Sequence, residues 1–244
     1  MMVPKRKMHL TSAHVAQVHR LEIDQGPRPH LQQMNDADYA GLATELAAKL
    51  GDSPLRVFAY GSLIWKPEFE FSHRFVATLP GWHRSFCMHI ERWRGTRETP
   101  GLMMGLDRGG SCRGVVYELP DKNPLAQLER LLRREMTNKP ATNMPRWMRV
   151  SHEGKKFQAL AFAASRSGHS YTGKLPLPEV AGILARAAGH WGTGAEYLFN
   201  TVSHLEEFGI RDRGLWQLQE LVAAEIEKAG AFHWSDSKNS VIPT

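Results

Sequence analysis

Cysteine is scarce in this chain: Cys87 and Cys112 are the only two, and they form no CxxC pair. They are too few for a disulfide scaffold and read as free buried thiols in a reducing cytoplasm. Long apolar runs are missing as well. None approaches the roughly 18 residues of a membrane span. Lys5, Arg6 and Lys7 stand near the N-terminus with no apolar stretch behind them, so no secretory signal is expected. The twelve histidines show no HExxH or similar ligand spacing, and no metal is expected. Ser62 is flanked at two positions by Tyr60 and Ile64 rather than glycines, which excludes a nucleophile elbow. Gly189-His190-Trp191-Gly192-Thr193-Gly194 follows a helical pattern and has the wrong order for a dinucleotide loop. It reads as a helix stop followed by the next helix's cap.

What is present is enough for one large domain, or one domain with extensions: 244 residues, 42% of them hydrophobic. The formal charge of +6 permits an acidic partner without demanding one. Arg84, Arg92, Arg94 and Arg97 form the densest basic stretch, interleaved with Trp82, Phe86 and Trp93. Such a mixture suits a nucleic acid, a pair of strands with solvated arginines, or a pocket for a small carboxylate. No nucleic-acid fold signature accompanies it, and neither nucleic acid nor membrane is expected as a partner.

Residues 1–55 read as a helical extension. Thr11 or Ser12 caps a first helix predicted to run to about Ile23, and Asp24-Gln25-Gly26-Pro27-Arg28-Pro29 breaks the chain. A second helix starts at Asp36, with Tyr39, Leu42, Ala43, Leu46, Ala47 and Leu50 on one face and Gly51 as its stop. Strand-like segments recur at 56–60, 74–79, 84–90, 101–106 and 113–119, with Pro80-Gly81 and Gly109-Gly110 as predicted turns. Asn123-Pro124 starts a helix, and two more strands are predicted near 147–151 and 156–164. Helices are predicted at 177–188, 193–208 and 212–229, with Thr193-x-x-Glu196 as a capping box and Gly209 as a stop. Strands first and helices later indicate an α+β fold built on one closed or strongly curved sheet. The expected division is an extension (1–55), a main domain (56–231) and a flexible tail (232–244).

Two places can carry chemistry. Val57-Phe58-Ala59-Tyr60-Gly61-Ser62-Leu63 reads as a buried strand that stops at a glycine. Glycine there lets another group approach without a Cβ in the way, and the following amides can converge on an anion. The second is Glu135. On the helix that begins at Pro124, an apolar arc is defined by Leu125, Leu128, Leu131, Leu132 and Met136, and Glu135 projects within it. A carboxylate on the core side is costly unless it is paired, protonated or lining a cavity. A salt bridge to an arginine at the helix end and a functional carboxyl stand as equal readings.

These segments resemble the ChaC-like γ-glutamylcyclotransferases of the glutathione-specific type. The resemblance runs from Val57-Phe58-Ala59-Tyr60-Gly61-Ser62-Leu63-Ile64-Trp65 through Gly81-Trp82-His83-Arg84, Arg94-Gly95-Thr96 and Gly109-Gly110-Ser111-Cys112-Arg113-Gly114. It continues in Arg133-Arg134-Glu135-Met136, Tyr171-Thr172-Gly173 and Glu196-Tyr197-Leu198-x-Asn200-Thr201. It implies a barrel-like mixed sheet flanked by helices, and cleavage of glutathione to 5-oxoproline and cysteinyl-glycine without a cofactor. It further implies a substrate-binding segment at Val57, Phe58, Ala59, Tyr60, Gly61, Ser62 and Leu63, with Glu135 as the catalytic acid/base. One segment departs from the family pattern: Thr137-Asn138-Lys139-Pro140-Ala141-Thr142-Asn143 contains no tyrosine where relatives carry a Gly-Ala-Tyr type segment. That departure leaves other γ-glutamyl amides open as substrates. A non-catalytic regulatory protein of the same fold is the alternative from a different class.

Overall fold

Five strands close into a barrel of mixed direction, and helices surround it. The computed structural model describes residues 7–29 and 31–239, with side chains described as far as residue 231. In chain order the elements are α1 (Ser12–Val18), β1 (Gln32–Gln33), α2 (Asp36–Leu50), β2 (Arg56–Ala59), a 3-10 turn (Ser62–Ile64), β3 (His73–Ile90) and β4 (Gly101–Glu118). They continue with α3 (Pro124–Glu135), β5 (Asn138–Lys139), β6 (Asn143–His152), β7 (Lys155–Ala164) and α4 (Leu177–Arg186). Last come β8 (Ala188–Gly189), β9 (Gly192–Thr193), α5 (Gly194–Glu207) and α6 (Arg213–Asn239).

The barrel order is β2-β4-β3-β6-β7. Closure is parallel, through Val57 against Leu160 and Leu106 against Ala163, while the other barrel pairings are antiparallel. The closed mixed barrel with flanking helices is the architecture expected from the sequence. Phe58, Tyr117, Leu160 and Phe162, all on barrel strands, are buried with almost no exposed surface. The Tyr117 hydroxyl donates to the Ile64 carbonyl at 3.1 Å, tying the turn after β2 to the barrel wall.

The four short strands predicted between 74 and 119 are in fact two long ones, β3 and β4, of 18 residues each. Pro80-Gly81 and Gly109-Gly110 do not end strands. Pro80 pairs with Ser111 and Trp82 with Arg108, so Gly81 on one strand and Gly109-Gly110 on the other are left unpaired at the same level. All three glycines have positive φ, at 81°, 108° and 69°. Facing irregularities bend both strands together and let the ribbon curl round the barrel, so the glycines serve curvature rather than chain reversal. The reversal lies instead between Ile90 and Gly101.

Helix caps follow the sequence closely, with two corrections. Asn35 and Asp38 form a reciprocal capping box on α2, and the Asn123 side chain accepts from the Ala126 amide at 3.2 Å on α3. Thr193 caps α5 by accepting from the Glu196 amide at 3.0 Å, but the box is not completed. The Glu196 carboxylate is drawn away to Arg94 at 2.7 Å. The first helix stops at Val18 rather than near Ile23, and Leu21 and Ile23 are 95% and 88% exposed. Arg20 instead donates to the Arg186 carbonyl at 3.0 Å, a tertiary contact made from extended chain. α6 continues to Asn239, and residues 240–244 of the expected tail lie outside the described residues.

The N-terminal segments are built into this framework. α1 packs on α5 and α6, where Leu10 is fully buried and its amide donates to the Gln219 side chain at 2.8 Å. α2 packs on α3, and the Tyr39 hydroxyl donates to the Met136 carbonyl at 2.8 Å. β1 pairs with β5 in register Gln32 to Lys139 and Gln33 to Asn138. A ladder of two polar residues has no hydrophobic alternation, so the sequence could not announce it. Leu10→Ala is expected to destabilise the chain by about 2–5 kcal/mol, read by urea unfolding. A loss well under about 1 kcal/mol would show that residues before α1 do not belong to the cooperative fold.

Candidate active site

β2 delivers the chain to the barrel rim, where it leaves the ladder after Ala59 and folds into the 3-10 turn. The Ile64 amide donates to the Gly61 carbonyl at 2.9 Å, and the Lys66 amide to the Ser62 carbonyl at 2.8 Å. A cavity of about 750 Å³ opens beside this turn. Tyr60, Gly61, Ser62 and Leu63 border it, as does Glu135, the last residue of α3. Two segments more than seventy residues apart therefore face one space. Val57, Phe58 and Ala59 do not border it: they are completely buried in the barrel.

The Glu135 carboxyl is almost enclosed, with its side chain 15% exposed. Burial raises its pKa above the ordinary glutamate value. The neighbouring Arg134, whose Nε lies 3.1 Å from Oε1, opposes that rise, and Glu68 adds to it. Arg134 is shared, because its Nη1 also holds Glu68 at 2.6 Å. The salt bridge at the helix end, one of the two readings set out above, is present, and the residue that makes it also borders the cavity. The Glu135 carbonyl accepts weakly from Asn143 Nδ2 at 3.4 Å, fixing the helix end to the start of β6.

Tyr197 was not among the residues singled out for the site. It projects from α5 and meets the turn where a side chain is missing. A Cβ added at Gly61 would lie 2.6 Å from the Tyr197 hydroxyl oxygen. Burial pushes the Tyr197 phenol up to about 12, nearby Glu135 adds to that, and Arg94 and the Ser62 amide and hydroxyl oppose it. Tyr60, whose hydroxyl donates to the Phe162 carbonyl at 2.8 Å, is likewise held neutral by burial and by Glu135. Two neutral phenols and one carboxyl of raised pKa thus share the floor. The Glu196-Tyr197 segment carried part of the resemblance, which was the available signal for this residue.

The basic stretch splits into separate roles. Arg84 is structural: Nε donates to the Tyr60 carbonyl at 2.6 Å, Nη1 to Asp212 at 3.0 Å, and Nη2 to the Arg113 carbonyl. Arg94 is buried, bonds the Thr193 carbonyl at 2.9 Å and Glu196 at 2.7 Å, and stands 5.4 Å from the Tyr197 ring centre. It braces α5 against the β3–β4 turn. Arg92 pairs with Asp24, and Arg97 sits exposed on the cavity rim. Cys87 and Cys112 are buried and free and do not line the cavity, with thiols pushed up to about 11 chiefly by burial. Among the described residues no helix is long and apolar enough to cross a membrane.

The family model described as ChaC-like protein matches residues 55–225, so the chain belongs to the ChaC-like family. A glutathione-specific γ-glutamylcyclotransferase of Escherichia coli is 36% identical over 177 residues, covering 72% of this chain and 76% of that protein. One from Schizosaccharomyces pombe is 25% identical over 197 residues, covering 72% of this chain and 96% of the relative. The crystal structure of a yeast γ-glutamylcyclotransferase specific to glutathione superposes with a TM-score of 0.63 at 21% identity, covering 71% of this chain and 97% of that one. That likeness establishes the shared fold.

The approach of Tyr197 to Gly61 can be tested by a double-mutant cycle. Gly61→Ala is expected to cost about 1–3 kcal/mol of stability by overpacking. Adding Tyr197→Phe, which removes the hydroxyl that the new methyl meets, is expected to recover most of that loss. Strictly additive effects would mean that the two groups do not touch.

Proposed function

We propose that this protein is a γ-glutamylcyclotransferase that degrades glutathione to 5-oxoproline and cysteinyl-glycine, with Glu135 as the acid/base. The observation that carries this reading is the single cavity shared by Glu135 and the Gly61–Leu63 turn. The names of the relatives supply the substrate.

The substrate's own α-amine is the nucleophile. Glu135 takes a proton from the α-ammonium, and the freed nitrogen attacks the γ-carbonyl carbon. The new C–N bond closes a five-membered ring, and the bond to the cysteine nitrogen breaks. That nitrogen takes the proton from Glu135 and leaves as an amine. The ring nitrogen, which still carries one proton more than the lactam, then gives it up through Glu135 to the released amine, so no water, metal or redox partner is consumed. Holding a flexible γ-glutamyl chain in the folded conformer can contribute about 7–11 kcal/mol at best. A burial-raised pKa suits the double duty, because the acid form must persist long enough to protonate a departing amine. Tyr60 and Tyr197, as neutral phenols, add no competing negative charge. The turn from Gly61 to Leu63 holds the γ-glutamyl group, with Ser62 as a cradle residue rather than a nucleophile. Losing one donor to a developing oxyanion typically costs about 2.7–4 kcal/mol of barrier.

Cytoplasmic operation belongs to the same proposal, supported by the free, buried thiols of Cys87 and Cys112. A second reading, turnover of other γ-glutamyl amides, is favoured by the tyrosine-free loop after Met136. There Thr137, Asn138, Thr142 and Asn143 border the cavity instead.

Incubation with glutathione followed by mass spectrometry is expected to yield 5-oxoproline and cysteinyl-glycine in equal amounts. Glu135→Gln should fold and lose at least about 10²-fold in turnover; normal turnover in that variant would remove the assigned role. Activity requires the deprotonated carboxylate, so kcat/KM is expected to fall on the acid side with a midpoint above the ordinary glutamate value. Arg134 favours the charged form of Glu135, so Arg134→Met is expected to move that limb to higher pH. A shift to lower pH would contradict the pairing. The linkage to stability has a definite sign. Glu135 binds its proton more tightly folded than unfolded, so folding loses stability as pH rises through that range. Glu135→Gln should therefore melt higher than the parent near neutral pH, with no advantage in acid.

A further inference from the structure

Residues 24–28 lie outside the family-matched stretch, yet Gly26, Pro27 and Arg28 border the cavity. This strap has no helical or strand ladder and is fastened by side chains. Asp24 accepts from Arg92 Nε at 2.8 Å and Nη2 at 2.6 Å, and lies 3.6 Å from His190 Nδ1. Gln25 donates to Glu98 at 3.0 Å, and Arg28 pairs with Glu91. Apart from His190, every partner lies in the β3–β4 turn, residues 91–98. Strap and turn are thus one wall made from two distant pieces of chain.

The cavity is graded from dry floor to wet rim. Tyr60, Gly61 and Tyr197 are buried, Arg28 and Arg92 are half-buried, and Arg97 is exposed. A substrate with its γ-glutamyl group on the floor must run outwards along the wall. The two residues beyond that group reach at most about 7 Å further and end in a carboxylate. Seven cationic side chains against four carboxylates border the cavity, a field that favours an anionic ligand. Most of these cations are committed to acidic neighbours. Arg97 takes part in no ion pair among the described residues and still borders the cavity.

We propose that strap and turn form a carboxylate-reading wall: Asp24 fixes the turn through Arg92, and Arg97 takes the distal carboxylate of a γ-glutamyl peptide. The inference rests on the cyclotransferase reading and adds the end of the substrate that reading leaves undetermined. Asp24 is a positioning residue; Arg97 touches the substrate. Through them the N-terminal extension, which the family match does not include, enters substrate choice.

The test compares glutathione with its glycine ethyl ester, which keeps the reacting atoms and removes the distal charge, by measuring kcat and KM for 5-oxoproline release. The unsubstituted chain is expected to prefer glutathione by about tenfold in kcat/KM, as one charge-assisted hydrogen bond provides. Arg97→Gln should raise KM for glutathione to the value of the ester, and Asp24→Asn should move it the same way by a smaller factor. Equal kcat/KM for the two substrates in the unsubstituted chain would overturn the wall while leaving the cyclotransferase reading intact. So would variants that lower both substrates by the same factor, the mark of a purely structural role. No 5-oxoproline from either substrate would overturn the cyclotransferase reading itself, and the wall with it.

Discussion

The carboxyl group of Glu135 ends α3 at the border of a cavity, largely buried and with one shared arginine as its neighbour. A surface glutamate would be ionised and well solvated, and so a weak base towards an α-ammonium. Full burial without a cation would leave it protonated and a poor base. Arg134, divided between Glu68 and Glu135, sets the intermediate condition. Burial raises the pKa and Arg134 limits the rise, and the proposed role asks this one group both to take and to return a proton. The rest of the structure can be understood as what keeps this carboxyl dry, aimed and next to the turn.

The barrel does the aiming. β2 is paired on both sides, with β4 antiparallel and β7 parallel, so the point at which it stops is fixed. Tyr60 and Gly61 fall at that point, and α5 brings Tyr197 against the glycine's bare face. Arg94 ties α5 to the β3–β4 turn, and in doing so withdraws Glu196 from the cap it would otherwise complete. A local rule of helix termini is broken where a tertiary contact is worth more. On the other side, Asn143 and Tyr39 hold the end of α3 by its last carbonyls, those of Glu135 and Met136.

Much of this was legible in the residues. The apolar arc on α3 placed Glu135 correctly, because a helix of fixed pitch leaves little freedom in where a side chain points. The strand-to-glycine stop at 57–63 was legible for the same kind of reason, although only its last four residues reach the cavity. Pro80-Gly81 and Gly109-Gly110 misled, because a turn and a bend inside a curled ribbon use the same residues. Nothing local distinguishes them; the distinction lies in the register between strands. Tyr197, Arg94 and the strap were hidden for a further reason. Their roles depend on groups roughly seventy to a hundred and forty residues away, and neither periodicity nor capping chemistry encodes such contacts.

The strap borders the same cavity as the turn and Glu135 but comes from a different part of the chain. Floor and turn come from the part of the chain that the family shares, whereas the outer wall is completed by residues that the family model does not cover. On the proposed roles, chemistry and selection are carried by different segments, and one can change without the other. The proposed chemistry depends on the state of a single carboxyl. The most direct measurement is a pH titration of the Glu135 side-chain carbon by ¹³C NMR, assigned by comparison with Glu135→Gln. The account predicts a midpoint clearly above the ordinary glutamate value of about 4.3. A midpoint at or below that value would contradict it, because a fully solvated or firmly ion-paired carboxylate is too weak a base to take the proton from the α-ammonium.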